Sequence, residues 1–255
     1  MLSLHDIRVE RDGSQVLALP AMTIDPAAFT AILGHNGSGK STLMNLLARQ
    51  IKPDAGGIEL EGRPLGAISA RDFARRVAFL PQQLPPVDGL SVAELVRLGR
   101  YPWRGMLGRW QDEDARLVQQ AMHDTDIRHL AQRPVDQLSG GERQRAWLAM
   151  LLAQQSPLIL LDEPTSALDL AHQYELMSLL ARLNRDHGRG MVVILHDVNL
   201  AARYAQRIVA LKHGRLYFDG TPQELLDAAL LTELFGLPMQ LMSGGAARQP
   251  VAVVA

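Results

Sequence analysis

The apolar residues of this chain fall into two rhythms, and each predicts a different kind of element. Four runs are short, continuously apolar and rich in branched residues: Phe29–Leu33, Val77–Leu80, Leu158–Leu161 and Met191–Leu195. Strands of a parallel sheet, covered on both faces, need such runs. Between Ser91 and Gln155 the spacing turns helical, with Val92, Leu95 and Val96, then Leu117, Val118, Ala121 and Met122. Strands resume at Leu158, so this stretch reads as a helical insertion into an α/β core. Upstream, Leu4–Val9 and Val16–Leu19 flank a turn around Asp12-Gly13, and Gly57–Leu60 comes next. These predict a small antiparallel layer. The boundaries expected are one domain over 1–243, with 1–85 and 156–243 as core and β layer and 86–155 as the helical part. Residues 244–255, GGAARQPVAVVA, read equally well as a frayed tail or a short edge strand.

The residue at the end of each apolar run sharpens the picture. The first run meets Gly34, the second Pro81-Gln82, the third Asp162-Glu163 and the fourth His196-Asp197. Open α/β sheets bind ligands beyond the carboxyl ends of their strands. Four strand ends that each deliver a polar residue predict one shared site.

Composition narrows the partners. The chain has 255 residues, 47% of them apolar, which suffices for one large domain or two modest ones. A formal net charge of −1 argues against a general nucleic-acid binder, which usually carries a strong basic excess. With no cysteine, disulfides and thiolate metal sites are excluded. The start, MLSLHDIRVERDGS, does not read as a secretory signal, and runs such as PLILL and MVVIL fall far short of the ~20 residues that span a bilayer. The expectation is a cytosolic chain whose membrane role, if any, runs through a partner.

Gly34–Ser41, GHNGSGKS, fits G-x-x-x-x-G-K-[ST] in full, after a strand and before an apolar helix. Its glycines let backbone N–H groups turn inward around phosphate oxygens, at a helix N-terminus whose dipole favours anions. Lys40 then reaches the β- and γ-phosphates and Ser41 ligates Mg2+. In LILLDEP, Asp162 is placed to hold the metal through its water shell, and Glu163 to act as general base on the attacking water. His196 can hydrogen-bond the γ-phosphate, and the Gln82 amide can touch both metal and water. The other seven histidines show no ligand spacing and read as surface or packing residues.

A second glycine-rich loop, LSGGERQ from Leu138, is harder to explain. Ser139 and Glu142 form an S-x-x-E capping box, and Trp147, Leu148, Leu151 and Leu152 continue as a packing face. Local chemistry does not explain Gly140 and Gly141, since a helix-interior glycine costs about 0.8–1.0 kcal/mol against alanine. Glycines there suit a ligand that must approach the backbone closely. The phosphate already has a cradle at Gly34–Ser41, so the economical reading is a second copy of the chain, closing over the nucleotide held by the first.

GHNGSGKST, Gln82, LSGGERQ, LILLDEP, SALD and His196 resemble, in order and spacing, the nucleotide-binding subunit of ABC transporters across nearly the whole chain. The resemblance implies a P-loop NTPase (RecA-like) α/β fold and an ATPase using ATP and Mg2+. It also implies two ATP molecules sandwiched head-to-tail in a homodimer. It assigns nucleotide contacts to Gly34, His35, Asn36, Gly37, Ser38, Gly39, Lys40, Ser41 and Thr42, and across the dimer to Ser139, Gly140 and Gly141. Metal contacts go to Ser41, Gln82 and Asp162, catalysis to Glu163, Gln82 and His196, and the dimer interface to Asp169. One departure is Arg11, which stands where the family often stacks an aromatic residue on adenine.

GRYPWRGMLGRW, VAFLPQQLPP and LHDVNLAARY further resemble ATPases of iron-chelate importers, closest to the ferric hydroxamate type, with haem and cobalamin importers as related alternatives. Tyr101, Trp103 and Trp110 with Arg100, Arg104 and Arg109 make an aromatic–arginine cluster of the kind enriched at interfaces, with internal packing as the competing reading. The implied partners are a second copy, integral membrane permease subunits and, indirectly, a substrate-binding protein, at the cytoplasmic face of the inner membrane. A soluble ABC ATPase acting on nucleic acid or ribosomes is a competing class. Such proteins usually carry two cassettes or a long coiled coil, which this chain lacks. A GTP switch would need N-K-x-D, which is absent.

Overall fold

The computed structural model describes residues 1–105, 108–166, 168–243 and 250–255. They form two compact units, Met1–Leu65 with Gly190–Ala255, and Gly66–Arg189. The first opens with β1 (Leu2–Arg11), β2 (Ser14–Ile24), β3 (Phe29–Leu33), α1 (Lys40–Leu47), β4 (Ala55–Leu60) and β5 (Arg63–Pro64). The second holds α2 (Ala70–Ala74), β6 (Val77–Leu80), α3 (Val92–Leu98), α4 (Tyr101–Arg104), α5 (Asp112–Asp124), α6 (Gly140–Ala153), β7 (Leu158–Leu161) and α7 (Leu170–His187). The chain then completes the first unit with β8 (Gly190–Ile194), α8 (Val198–Tyr204), β9 (Arg207–Lys212), β10 (Arg215–Gly220), α9 (Pro222–Leu225), α10 (Ala228–Phe235), β11 (Met239–Met242) and β12 (Val251–Val254).

Strands of the first unit run in the order β5-β4-β1-β2-β10-β9-β3-β8. The expected antiparallel layer is β1 with β2 on one side and β4 on the other. β1 does not alternate strictly, because Leu4 and Ile7 are both buried three residues apart. A bulge absorbs the extra residue: Asp6 has φ 48° and the β1–β4 register shifts between His5 and Arg8. Beyond the layer, β3 pairs in parallel with β8 and β9, and every residue of β3 and β8 is buried. Burial on both faces is what their apolar runs, broken only by Thr30 in β3, required.

In the second unit β6 and β7 form a parallel pair, register Leu80↔Leu161. Val92, Leu95 and Val96 of α3, Val118, Ala121 and Met122 of α5, and Ala146, Leu148 and Ala149 of α6 are buried, so the helical spacing marks true packing faces. Each fully buried aliphatic side chain contributes about 1.5–3 kcal/mol. Of the tail, β12 pairs with β11 as an antiparallel hairpin, the strand alternative; residues 244–249 lie outside the described residues.

Candidate active site

In the first unit β3 and β8 are parallel neighbours in register Ile32↔Ile194, and the Leu195 N–H donates to the Ile32 carbonyl at 3.1 Å. The two chains therefore leave the sheet side by side, one into Gly34 and the other into His196. Gly34 has φ 144°, and a Cβ there would stand 2.3 Å from the Leu211 carbonyl oxygen. The loop lies directly on the end of β9, and only glycine fits. The Ser38 N–H closes a turn onto the His35 carbonyl at 3.1 Å, and the Gly214 N–H donates to the Ser38 carbonyl at 3.2 Å. Gly39, φ 98°, then caps α1 without any side-chain hydrogen bond. α1 carries no acidic residue in its first turn. Its leading N–H groups and positive dipole end thus suit an anion from outside the chain.

Lys40 is buried, its ammonium donating to the carbonyls of Gly34 at 2.8 Å and His35 at 2.9 Å. Among the described residues the buried Ser38 Oγ has no hydrogen-bond partner. A loop of inward-turned backbone, an orphan hydroxyl and a buried ammonium fits a phosphate chain. His35, Asn36, Gly37 and Ser41 are exposed, and Thr42 is buried in the first turn of α1. His196 is exposed, and Asp197 after it caps α8. Arg11 is exposed at the end of β1.

The second unit repeats the strand-end arrangement. The Asp162 N–H donates to the Leu80 carbonyl at 2.9 Å, so β6 and β7 deliver Gln82 and Glu163 side by side. The Gln82 amide donates to the Glu163 carboxylate at 2.7 Å. Glu163 sits at φ 48°, a left-handed conformation that costs a side-chain-bearing residue roughly 1–3 kcal/mol. Ser166 holds that turn through its N–H at 3.2 Å and its hydroxyl at 3.0 Å, both to the Glu163 carbonyl. Asp162 is buried. Among the described residues, no group of three or more His, Cys, Asp or Glu could hold a metal by itself. Mg2+ beside a nucleotide needs only one or two protein carboxylates together with phosphates, and Asp162, Gln82 and Ser41 each offer a hard oxygen of the right kind.

The Ser139 loop is built differently. Its hydroxyl and N–H both donate to the Glu142 carboxylate at 2.8 Å, and the hydroxyl accepts from the Glu142 N–H at 3.4 Å. These bonds hold the Glu142 carboxyl below its ordinary value, the Ser139 backbone N–H having the largest effect. Neither Gly140 nor Gly141 has positive φ. Among the described residues a Cβ at Gly140 would meet nothing within 4 Å, and one at Gly141 only the His172 ring at 3.5 Å. Asp169 caps α7 from outside, accepting from the His172 N–H at 2.9 Å, with His172 Nδ1 at 2.8 Å from the same carboxylate oxygen. His172 thus stands between Asp169 and Gly141. The sequence alone groups it with the surface histidines; the D-x-x-H spacing, which matches a helix cap reaching its third residue, is the signal that could have found it.

The aromatic–arginine cluster divides. Arg100 is buried, donating to Asp114 at 2.9 Å and to the Ala153 carbonyl at 2.8 Å. Burial pushes the Asp114 carboxyl up, but the bonds from Arg100 and the Gln111 N–H outweigh it and hold the group below its usual range. Trp110 stacks under Arg97 at 4.3 Å and Arg104 at 4.8 Å, while Arg109 is exposed. Trp103 donates its indole N–H to the Gln154 carbonyl at 2.6 Å yet is 40% exposed; Leu98 is 52% and Tyr101 59% exposed. Internal packing therefore takes Arg100, while the large side chains of Leu98, Tyr101 and Trp103 stay exposed. Met106 and Leu107 lie outside the described residues.

Known proteins are similar to this chain in sequence and in fold. The family profile described as ABC transporter matches residues 19–166. The achromobactin transport ATP-binding protein of Dickeya dadantii is 46% identical over 84% of this chain and 79% of its own length. The iron(3+)-hydroxamate import ATP-binding protein of Bacillus subtilis is 40% identical over 90% and 86%. The hemin import ATP-binding protein of Streptomyces coelicolor is 43% identical over 92% and 83%. Among solved structures, an inward-facing ABC transporter assigned to the metal-chelate type covers 100% of this chain and 97% of its own at TM-score 0.86 and 30% identity. The dimeric ATP-binding cassette MJ0796 with ADP and Pi covers 87% and 99%, at TM-score 0.74 and 28% identity.

Proposed function

The chain belongs to the ABC transporter family, and on that footing we propose that it is the ATP-hydrolysing subunit of a ferric siderophore importer. Gly34–Thr42 hold the phosphates, with Lys40 supplying charge at the mouth of the loop. Ser41, Gln82 and Asp162 hold Mg2+, which when bound neutralises developing phosphate charge. Glu163 takes the proton of the attacking water, His196 orients on the γ-phosphate, and Ser139, Gly140 and Gly141 engage the nucleotide of a second copy. Asp169 lies at the junction of the two copies. One ATPase domain spans 1–243, with 86–155 as its helical part.

The observation that carries the catalytic assignment is the 2.7 Å bond from Gln82 to Glu163 at neighbouring strand ends. It supports a reading in which the Glu163 carboxylate and the neutral Gln82 amide together bind and deprotonate a water. Glu163→Gln tests it: hydrolysis should fall by about 10²–10⁴ while ATP still binds. The variant should accumulate as a dimer in ATP on size-exclusion chromatography. Wild-type turnover, or a variant that stays monomeric in ATP, would remove Glu163 from this role.

Among the described residues no helix is long and apolar enough to cross a membrane. The chain works held by permease subunits at the cytoplasmic face of the inner membrane, and meets a substrate-binding protein only through them. The exposed face of Leu98, Tyr101 and Trp103 is the part of the helical region suited to an apolar permease segment. A second reading, haem import, is favoured by the 43% identity of the hemin relative. Growth of a deletion strain on defined ferric chelates and on haemin, each as sole iron source, separates the two. Loss confined to haemin overturns the siderophore assignment.

A further inference from the structure

The C-terminal segment touches the elements behind both phosphate-facing loops of the first unit: α10 is anchored by the fully buried Leu231 and Leu234, whereas β11 and β12 attach with little burial. On one side, the Asn199 amide makes both hydrogen bonds that a neighbouring strand would make. Its Nδ2 donates to the Ala252 carbonyl at 2.9 Å and its Oδ1 accepts from the Ala252 N–H at 2.8 Å. The pair fixes the register of β12 against α8. Asn199 is itself tied by its own N–H to the Asp197 carboxylate at 2.7 Å, and His196 is the next residue back. On the other side, the Phe235 ring meets the His35 ring edge-on, centroids 5.8 Å apart and planes at 74°. Two further bonds fix the Phe235 end of α10. Lys212 donates to the Glu233 carbonyl at 2.7 Å, and the Met239 N–H donates to the Thr232 hydroxyl at 2.9 Å, joining α10 to β11.

We infer that α10, β11 and β12 form a positioning element for ATP hydrolysis, in which Asn199 sets the first turn of α8 behind His196 and Phe235 sets the phosphate loop at His35. The inference rests on the proposed roles of His196 and Gly34–Thr42. A purely stabilising role fits the hairpin poorly, because Met242, Val251 and Val254 are exposed and Ala252 is its one buried apolar residue. A two-stranded hairpin with so little buried surface is marginal in water, so its contacts serve geometry more than stability.

The test uses the purified full-length chain and its variants, with steady-state ATPase assays and thermal melts. Asn199→Ala should lower kcat about fivefold and leave KM for ATP within about twofold. Deletion of residues after Ser243 should match it in kcat, and the combined variant should lose no more than either alone, because both remove the same Asn199–Ala252 hydrogen bonds. Asn199→Asp keeps the acceptor for the Ala252 N–H and should lie between. Phe235→Ala should instead raise KM about fivefold with kcat retained. Melting temperatures should stay within about 2–4 °C of the parent. Losses that multiply in the combined variant, or that track only the fraction of folded protein, overturn the inference. His196→Ala separates the two levels. If it leaves kcat unchanged, the reading of His196 fails; if it lowers kcat while Asn199→Ala does not, only the positioning role fails.

Discussion

The two glycine loops of this chain are alike in composition and opposite in cause. Around Gly34 and Gly39 the glycines answer to the protein's own packing. A Cβ at the first would strike the Leu211 carbonyl at 2.3 Å, one at the second would crowd the Val16 carbonyl at 3.1 Å, and both residues have positive φ. At Gly140 and Gly141 nothing among the described residues asks for glycine, since neither φ is positive and the nearest neighbour of either Cβ is a ring at 3.5 Å. The helix ends differ in the same sense. α1 has no side-chain cap, whereas α6 carries a complete capping box. One loop is shaped by its surroundings and leaves its helix end without a side-chain cap; the other caps itself and keeps two bare residues at its surface. A glycine that its own fold does not need points to a surface that something else must reach.

The contrast breaks first at Gly34. Gly34→Ala forces a Cβ against backbone in a conformation that L-residues avoid, a cost of about 3–5 kcal/mol from strain and overpacking together. The variant should melt about 10 °C lower and lose measurable ATP binding in calorimetry. A stable Gly34→Ala protein that still binds ATP would mean the loop does not rest on Leu211 as described.

Gly140→Ala should do the reverse. With no clash and a better helix former, the monomer should melt no lower than the parent. Turnover should nevertheless fall about a hundredfold, the scale of losing one stabilising donor from a phosphate, and ATP-driven dimerisation should weaken with it. A variant with both parental stability and parental turnover would leave the two glycines without an assigned ligand. Mixing Ser139→Arg with Lys40→Ala chains sharpens the same point, because a shared site restores at most one working centre per dimer.

Much of the fold is legible in the amino-acid pattern alone. The four apolar runs became β3, β6, β7 and β8, with the fourth starting one residue earlier, and their polar successors emerge in pairs from neighbouring strands. The antiparallel layer is readable despite its bulge, because the Asp12-Gly13 turn sets the pairing. β9 and β10 are not. Arg207–Lys212 and Arg215–Gly220 mix charge with apolar residues, and the His213-Gly214 turn between them, both residues at positive φ, is the available signal. These strands matter for the site, since Leu211 underlies Gly34 and Gly214 holds Ser38. Arg100 reads as an interface residue because a motif does not reveal that the first turn of α5, which carries Asp114, will lie against it. Contacts of that kind depend on tertiary placement, as does Asn199 with Ala252, 53 positions away.

The smallest effect concerns the caps themselves. Glu142 is held below its ordinary pKa by Ser139, so its contribution to α6 is complete above the ordinary glutamate value of about 4.3 and is lost as pH falls through the lower folded-state value. The end of α1 has no carboxylate in its first turn and carries no such dependence. Amide protection at Gly141–Arg143, corrected for intrinsic exchange, should therefore drop on acidification while that at Ser41–Leu43 holds. Glu142→Gln should flatten the first profile, and Ser139→Ala should lower α6 protection at neutral pH by about 0.5–2 kcal/mol. Ser139→Ala would also remove the hydroxyl proposed to reach the partner's nucleotide, whereas Glu142→Gln would not. If both variants lose turnover equally, the cap is what the second loop supplies to hydrolysis; if only Ser139→Ala does, the hydroxyl acts beyond its own helix.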